Sequence, residues 1–252
     1  MLVLCYGIPK SGSTLAFEIV KRMLITAGHE QEIFWNDRKD PEELDPRRGR
    51  NFIEGVTRHK LNRIIETIGP SRMIAAKTHS SFPNEMFPWL EKAQSLKQLQ
   101  VVASYRDPRD ICLSLVDSSQ KARERGRGAF SRVEGLEHAA RKIKKRTEEF
   151  QKWGALRGTL ALNYEMVAFS PDSAIDRLES TLAITCDREE VKRYAFQEAR
   201  TQKNKAKNNR HEEELSDAQN AWMLEMFGEF IDRVCKAEDR QWFEERRTEL
   251  LA

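Results

Sequence analysis

The sequence predicts an α/β fold: a central parallel β-sheet flanked by helices in three layers. Short apolar runs alternate with helical patterns along most of the chain, which is typical of parallel sheets covered by helices. Apolar residues make up 39% of the 252 residues, enough for a core. Charged residues make up 33%, against about 25% in an average soluble protein, and no apolar run reaches about 18 residues. These numbers argue against a membrane-spanning or disordered chain.

Four short apolar runs are the predicted strands, each followed by a helical pattern: Leu2–Tyr6, Arg72–Ala76, Leu99–Tyr105 and Thr159–Asn163. The predicted helices are Ser13–Ala27, a segment around Phe52–Ile68, Asp110–Ser118, Leu136–Trp153 and Pro171–Leu182. From Asp187 onward the pattern is wholly helical. Because no internal repeat or glycine-rich linker interrupts the chain, we expect a single domain over residues 1–252, with 187–252 as its helical C-terminal portion.

Three segments follow neither pattern: His29–Arg50, Gln120–Val133 and Arg200–Leu215. The last two are basic and poor in apolar residues. Each is either a solvated surface loop or a lid that faces an anion, and the pattern leaves both interpretations open. Loops at strand ends carry function in this architecture, so these segments are candidates for the walls of a site.

The four cysteines are widely spaced and lie in apolar stretches: Cys5, Cys112, Cys186 and Cys235. No C-x-x-C pair that would hold zinc or perform redox chemistry is present. The first predicted strand begins at residue 2, without a charged and apolar leader before it. We therefore expect buried free thiols in a cytoplasmic protein.

The loop after the first predicted strand has the layout of a phosphate-binding loop. Segment Gly7–Thr14 reads GIPKSGST and opens the first helix. Nucleotide P-loops follow G-x-x-x-x-G-K-S/T, whereas Ser13 replaces the lysine here and Lys10 lies three residues earlier. Backbone N–H groups from Ser11 to Thr14 still form an anion cradle at a helix N-terminus. We therefore expect a fold of the P-loop NTPase type that binds a phosphate-like group other than a magnesium-bound triphosphate.

Residues 9–14, PKSGST, resemble the P-K-S-G-T-T motif of sulfotransferases that use 3′-phosphoadenosine 5′-phosphosulfate (PAPS). In that family the loop holds the 5′-phosphosulfate. The resemblance assigns this role to a run of five residues: Lys10, Ser11, Gly12, Ser13 and Thr14. It also implies PAPS as the co-substrate and 3′-phosphoadenosine 5′-phosphate (PAP) as the product.

A second motif follows the third predicted strand. Residues 105–114, YRDPRDICLS, resemble the family's Y-R-N-P-K-D-x-x-x-S, whose arginine and serine bind the 3′-phosphate of the nucleotide. The matching residues are Arg106 and Ser114, and a forked guanidinium is well suited to a phosphate. In the alternative interpretation, the arginines of this segment pair only with its own aspartates, Asp107 and Asp110.

The second predicted strand leads into a third motif. Residues 75–79, AAKTH, resemble the family's K-T-H, in which the histidine is the general base and the lysine stabilises the transferring group. Alternation along a strand sends Lys77 and His79 to the same face. Histidine suits proton abstraction near neutral pH because its reference pKa is about 6.5. A purely structural histidine is the alternative.

A fourth motif, LNYEM at residues 162–166, resembles the family's Y-E-x-M and would place Tyr164 near the adenine; a core tyrosine is the alternative. The resemblance covers roughly residues 1–170, with two departures. Leu15 takes the position of a tryptophan that often stacks on adenine, and Arg200–Leu215 lacks the glycines of the family's R-K-G-x-x-G-x-W segment. Four cations in that segment offer positive charge instead: Lys203, Lys205, Lys207 and Arg210.

The four motifs imply a PAPS-dependent sulfotransferase acting on a hydroxyl acceptor, or alternatively an amine, with Lys10, Lys77 and His79 as catalytic residues. The sequence has no metal-binding motif, so we expect metal-independent transfer. We also expect no nucleic-acid partner, because a net charge of +3 is small for one. The segments that flank the proposed base contain aromatic residues that would suit an apolar or aromatic acceptor but could equally belong to the core, and glycan, lipid, phenol and peptide acceptors stay open. These residues are Phe34, Trp35, Phe52, Phe82, Phe87 and Trp89.

Two other classes of protein fit part of the pattern. A P-loop kinase of small molecules would explain the glycine loop and the parallel sheet, although the placement of Lys10 counts against it. A non-enzymatic polyanion-binding protein would use the basic residues of 121–132 and 203–210. A net charge of +3 is small for that role. Dependence on magnesium would favour the kinase, and a steep loss of binding with salt would favour the polyanion binder.

Overall fold

Residues 1–40, 49–126, 130–199 and 207–251 are described by the computed structural model. The strands in this part of the chain are β1 (Leu2–Gly7), β2 (Asn51–Ile53), β3 (Ile74–Thr78), β4 (Leu99–Tyr105) and β5 (Leu160–Asn163). They form one sheet in the order β2-β3-β1-β4-β5, and every neighbouring pair is parallel. The chain therefore builds one side of the sheet through β3 and then crosses β1 to build the other.

Helices connect the strands and make up most of the C-terminal part. They are α1 (Ser13–Thr26), α2 (Arg58–Ile68), α3 (Phe87–Ser95), α4 (Pro108–Glu124), α5 (Leu136–Gly154), α6 (Tyr164–Phe169), α7 (Pro171–Leu182), α8 (Arg188–Arg193), α9 (Arg210–Glu214), α10 (Asp217–Phe230) and α11 (Arg240–Leu251). A 3₁₀ turn covers Asn84–Met86, and π-helical turns cover Tyr194–Glu198 and Ile231–Lys236.

Side chains of the central strand alternate between two cores. Leu2, Leu4 and Tyr6 belong to a larger apolar cluster with residues of α2 to α5, α10 and α11. Val3 and Cys5 belong to a second cluster with α1, α6, α7 and α8. Each face of the sheet is thus covered by helices, as strand alternation requires. The predicted three-layer α/β fold is confirmed.

Helix N-termini follow directly on three of the strands. Gly12, with a left-handed φ of 77°, is the residue before α1. Asp107 caps α4 by accepting a hydrogen bond from Arg109 N at 2.9 Å. Asn163 caps α6 by accepting one from Glu165 N at 2.7 Å. Because all strands are parallel, these N-termini, which favour anions, lie at the carboxyl edge of the sheet.

The predicted helix over 52–68 is wrong at its start. Asn51–Ile53 is instead the edge strand β2, and α2 begins only at Arg58. Three residues are too few to show a strand period, and β2 is defined by its pairing with β3, which the local pattern does not contain. The structure also extends the helix predicted at Asp110–Ser118 to Glu124. It moves the second predicted strand two residues onward, to Ile74–Thr78.

All four cysteines are free. Cys5 and Cys112 are buried as expected, whereas Cys186 and Cys235 are only partly buried. In the described ranges, no helix is both long enough and apolar enough to cross a membrane.

Candidate active site

The strand register brings the predicted site residues to one edge of the sheet. Tyr6 lies opposite Thr78, so the residues after β1 and β3 lie side by side. Gly7 lies opposite Ser104, and the next strand along continues the same line. The chain leaves β1 towards one side of the sheet and β4 towards the other. This switch point is where ligands bind in open parallel sheets.

The loop after β1 is held tightly against β4. Ser11 is buried, its Oγ donates to Ser104 O at 3.1 Å, and its N–H donates to Ile8 O at 3.0 Å. A Cβ on Gly7 would lie 2.3 Å from Ser104 Oγ, so only glycine fits there. Ser11 therefore shapes the loop and spends its own N–H inside it. The expectation that this N–H joins an anion cradle stays a prediction, and in this structure the N–H donates to Ile8 O.

The first turn of α1 supplies the remaining cradle. Its leading N–H groups, on Ser13 and Thr14, have no partner within the helix, as is general for a first turn. Lys10, three residues before the start of α1, has a left-handed φ of 75°, and its Nζ lies 6.0 Å from the ring centroid of Phe130. Burial and the nearby cations Lys121, Arg106 and Arg210 lower the pKa of Lys10. Several cations thus converge on this loop.

Tyr164 connects the two halves of the switch point. A Cβ on Gly12 would lie 2.6 Å from Tyr164 Cδ2, so the ring packs directly against the loop backbone. The guanidinium carbon of Arg106 lies 4.2 Å from the centroid of the same ring, close enough for a cation–π interaction. The loop after β1, the arginine after β4 and the tyrosine after β5 are therefore in contact.

Arg106 is buried, and the arginines of this segment form both ion pairs with its aspartates that a purely structural role would require. Arg106 Nη2 lies 2.8 Å from Asp110 Oδ2, and Arg109 Nη2 lies 2.6 Å from Asp107 Oδ2. Arg106 Nε, however, is buried and has no hydrogen-bond partner in the described residues. The side chain therefore combines a structural ion pair to Asp110 with a donor, Nε, that makes no hydrogen bond within the described residues and lies 3.9 Å from Glu165 Oε1.

Asp110 joins Arg106 to α9. Its Oδ1 accepts from His211 N at 3.0 Å and contacts His211 Nδ1 at 2.9 Å, while Arg106 Nη2 also donates to Lys207 O. Arg210 is buried in ion pairs with Asp117 and Glu214. The described part of the segment 200–215 thus meets Arg106 with a backbone carbonyl. The two cations predicted earlier in it, Lys203 and Lys205, lie outside the described residues.

Lys77 and His79 both contact the loop after β1. Lys77 is buried and its Nζ donates to Thr14 Oγ1 at 2.6 Å. Burial, reinforced by the charge of Arg50, lowers the pKa of Lys77 to about 7. A lysine with this pKa gains from a nearby anion, which would restore its proton.

The His79 ring is oriented by the end of β1. Its Nδ1 lies 2.7 Å from Gly7 O. A carbonyl oxygen only accepts hydrogen bonds, so Nδ1 carries the hydrogen and Nε2 keeps its lone pair. Burial, together with the charge of Lys77, lowers the pKa of His79 to about 3, well below the reference value used in the sequence-based expectation. The imidazole is therefore neutral at physiological pH, as a proton acceptor must be.

Ser114 lies in α4 and is buried, and within the described residues no hydrogen bond joins it to another predicted site residue. Asp110, which pairs with Arg106, was named in the sequence analysis as a structural partner. Sequence reasoning missed His211, which pairs with Asp110, and Arg146 beside His79. Both are brought in from distant helices and carry no local signal.

Comparisons with known proteins support the fold. Neither the family models nor the sequences of curated proteins give a significant match to the chain. Mouse sulfotransferase SULT7A1 complexed with PAP has a similar structure, with a TM-score of 0.59, 14% identity and coverage of 97% of this chain and 88% of that chain. Retinol dehydratase in complex with androsterone and the inactive cofactor PAP has a TM-score of 0.53, 14% identity and coverage of 91% and 80%. The chain has the sulfotransferase fold that its sequence motifs implied.

Proposed function

We propose that this chain is a PAPS-dependent sulfotransferase. The observation that carries the proposal is the convergence of four strand ends on one loop. Lys77 contacts Thr14, His79 contacts Gly7, and Tyr164 packs on Gly12 while meeting Arg106. One crevice therefore contains His79 as the proposed proton acceptor and Lys77 as the residue proposed to bind the transferring group. The cationic loop after β1 lies beside them. The two neighbours were solved with PAP, and they support the same ligand here.

The residues present fit a nucleotide with phosphates at both ends. Arg106 Nε is a buried donor that makes no hydrogen bond among the described residues and lies 3.9 Å from Glu165 Oε1, so a phosphate oxygen would satisfy it. The pKa of Lys10 is lowered first by burial and then by neighbouring cations, and an anion bound beside it would offset both effects. Gly12 lets the backbone approach closely because a side chain there would strike Tyr164. Arg106 and Ser114 would hold the 3′-phosphate, and the residues from Gly12 to Thr14 the 5′-end.

When bound, PAPS supplies an electrophilic sulfuryl group on its 5′-phosphate. Nε2 of His79 accepts the proton of the acceptor hydroxyl, because the bond from Nδ1 to Gly7 O leaves that nitrogen unprotonated. Lys77 binds the sulfuryl oxygens, and Lys10 neutralises charge at the 5′-end. None of these roles needs a metal ion, and we propose that transfer is metal-independent.

A small molecule with an apolar body is the proposed acceptor. Phe52 is buried and its ring centroid lies 6.0 Å from that of His79, so it forms an apolar wall beside the base. Of the aromatic residues predicted near the base, Phe82 and Phe87 are core residues packed against each other. Phe34 and Trp35 are partly buried and pack against the larger apolar cluster. The androsterone in the retinol dehydratase structure supports an acceptor of this kind.

The test is a screen of hydroxylated small molecules with sulfur-35-labelled PAPS in EDTA, followed by chromatography of the products. We expect labelled product with the wild type. His79→Ala should lose about 10²–10⁴-fold in rate while keeping its affinity for PAP. His59→Ala, at an exposed histidine of α2, is the matched control and should behave as the wild type. Equal activity of His79→Ala and the wild type would exclude His79 as the base.

A further inference from the structure

The segment that carries His79 is held from outside the sheet by one helix. After β3 the chain runs through residues 79–82 without regular structure. Three of the backbone carbonyls in this segment accept hydrogen bonds from side chains of α5. Arg146 Nη1 donates to His79 O at 2.9 Å, Trp153 Nε1 to Ser80 O at 3.2 Å, and Lys152 Nζ to Phe82 O at 2.6 Å. Helix α5 thus holds this segment at three points.

Two of these donors are themselves fixed. Arg146 Nη1 also lies 2.6 Å from Glu149 Oε2, one turn along α5. Trp153 is fully buried, stacks on Tyr6 with a centroid distance of 5.4 Å, and meets the edge of Phe82 at 4.6 Å. Since Tyr6 is the residue before Gly7, α5 holds the base segment and the strand that orients the base ring. Both ends of the His79 contact with Gly7 O therefore depend on α5.

We propose that α5 is the positioning element of the catalytic base: Arg146, assisted by Trp153 and Lys152, fixes the backbone at His79 so that its ring keeps the hydrogen bond from Nδ1 to Gly7 O. Arg146 is a positioning residue and acts through His79. The kinetic part of this inference rests on the proposed function, whereas the orientation of the ring does not.

The experiment compares Arg146→Met and Arg146→Lys in the full chain with a control on the same helix, Arg141→Met. Arg141 is 68% exposed at its side chain and pairs only loosely with Glu137, at 3.9 Å. The first readout is the ¹⁵N spectrum of the histidine rings, with the His79 signals assigned by their loss in His79→Gln. We expect the wild type to show the tautomer with hydrogen on Nδ1. Arg146→Met should shift these signals towards a mixture of tautomers, and Arg146→Lys, which keeps a donor, should restore them in large part.

The second readout is the transfer rate in a double-mutant cycle with His79→Ala. A misplacement of about 1 Å can cost on the order of 100-fold in rate. We expect Arg146→Met to lower kcat at least about 10-fold with PAP affinity unchanged, but to change the residual rate of His79→Ala by less than about twofold, because it acts only through the base. Arg141→Met should leave both readouts unchanged.

Wild-type His79 signals in Arg146→Met, or an equal loss of rate in both backgrounds, would overturn the proposal. If Arg146→Met does not fold, Lys152→Met removes a second of the three contacts and is subject to the same expectations. If the wild type transfers sulfate to no acceptor, the proposed function fails, and the histidine spectra still decide whether α5 positions the ring.

Discussion

Replacing Lys77 by methionine should stabilise the free protein while abolishing its function. Lys77 is 3% exposed, and its pKa falls from 10.5 to about 7 chiefly because burial penalises the charged form. At about 1.4 kcal/mol per pKa unit, this shift corresponds to a cost of about 4 kcal/mol to the folded state at pH 7. Methionine fills a similar volume without charge. It forfeits the hydrogen bond to Thr14 Oγ1, worth about 1 kcal/mol.

We therefore expect Lys77→Met to be more stable by about 1–3 kcal/mol at pH 7, and its melting temperature to rise by about 2–4 °C per kcal/mol. The sign of the pH dependence is a sharper test. The unfolded state binds more protons than the folded state between pH 7 and 10.5, so wild-type stability rises with pH across that window. The variant lacks this contribution, and its advantage should shrink towards pH 10.

The assay is urea unfolding at pH 7, 8 and 9, with Lys142→Met as the control. Lys142 is an exposed lysine of α5, so its replacement should change neither stability nor pH dependence. Calorimetry adds a second readout: at pH 8 the wild type should take up part of a proton when it binds PAP, because the anion restores the charge on Lys77, and Lys77→Met should take up less. A destabilised Lys77→Met, or a gain independent of pH, would refute the reasoning.

Three further predictions follow from the site geometry. Arg106→Ala should weaken PAP binding about 10- to 100-fold, which is the contribution of a charged hydrogen bond, and leave the affinity for adenosine 5′-phosphosulfate nearly unchanged. Calorimetry measures both affinities, with Arg109→Ala as the control. An equal loss of affinity for both nucleotides would make Arg106 structural. Gly12→Ala should lose PAP affinity because its Cβ would lie 2.6 Å from Tyr164 Cδ2. Gly28→Ala is the control, because Gly28 has a φ of 90° and no neighbour within 4 Å of an added Cβ. Backbone strain should lower its melting temperature, but it should bind PAP normally. Between pH 6.5 and 4, the unfolded wild type binds more protons than the folded wild type, because the pKa of His79 is lowered in the folded state. His79→Gln lacks this histidine, so its free energy of unfolding should fall less than that of the wild type over this range. An equal fall for the two proteins would contradict this.

Most of the sheet and the position of the site were predictable from the sequence. The apolar run Leu2–Tyr6 matches β1 to within one residue, and Leu99–Tyr105 coincides with β4. Parallel strands all end at the same edge, so motifs that follow strands in the sequence meet in space. This is why the residues that the family resemblance singled out after β1, β3, β4 and β5 lie at one edge of the sheet.

The parts that sequence reasoning missed depend on pairings between distant residues. Strand β2 exists because Asn51–Ile53 pairs with β3, and the carboxamide of Asn51 fixes the chain before it by accepting from Phe34 N and Trp35 N. Ser11 turns inward because Ser104 of β4 lies beneath it. Neither contact leaves a trace in the local pattern of residues.

The chemical state of His79, the proposed base, was likewise set by tertiary structure. The presence of His79 in a recognisable motif suggested its role, but not its state. The hydrogen bond to Gly7 O selects its tautomer, and burial beside Lys77 lowers its pKa. Arg146 reaches the same segment from a helix that begins long after β3 ends. A sequence motif can name a base, whereas only the fold determines its tautomer and its proton affinity.

The most direct test of a site built for a 3′-phosphorylated nucleotide is calorimetric titration of the purified chain with PAP, ADP and ATP, each with EDTA and with magnesium. Arg106 Nε, which makes no hydrogen bond among the described residues, and the cations around Lys10 predict that PAP binds more tightly than either other nucleotide, and equally well without magnesium. Tighter binding of magnesium–ATP than of PAP would contradict this account and favour a kinase.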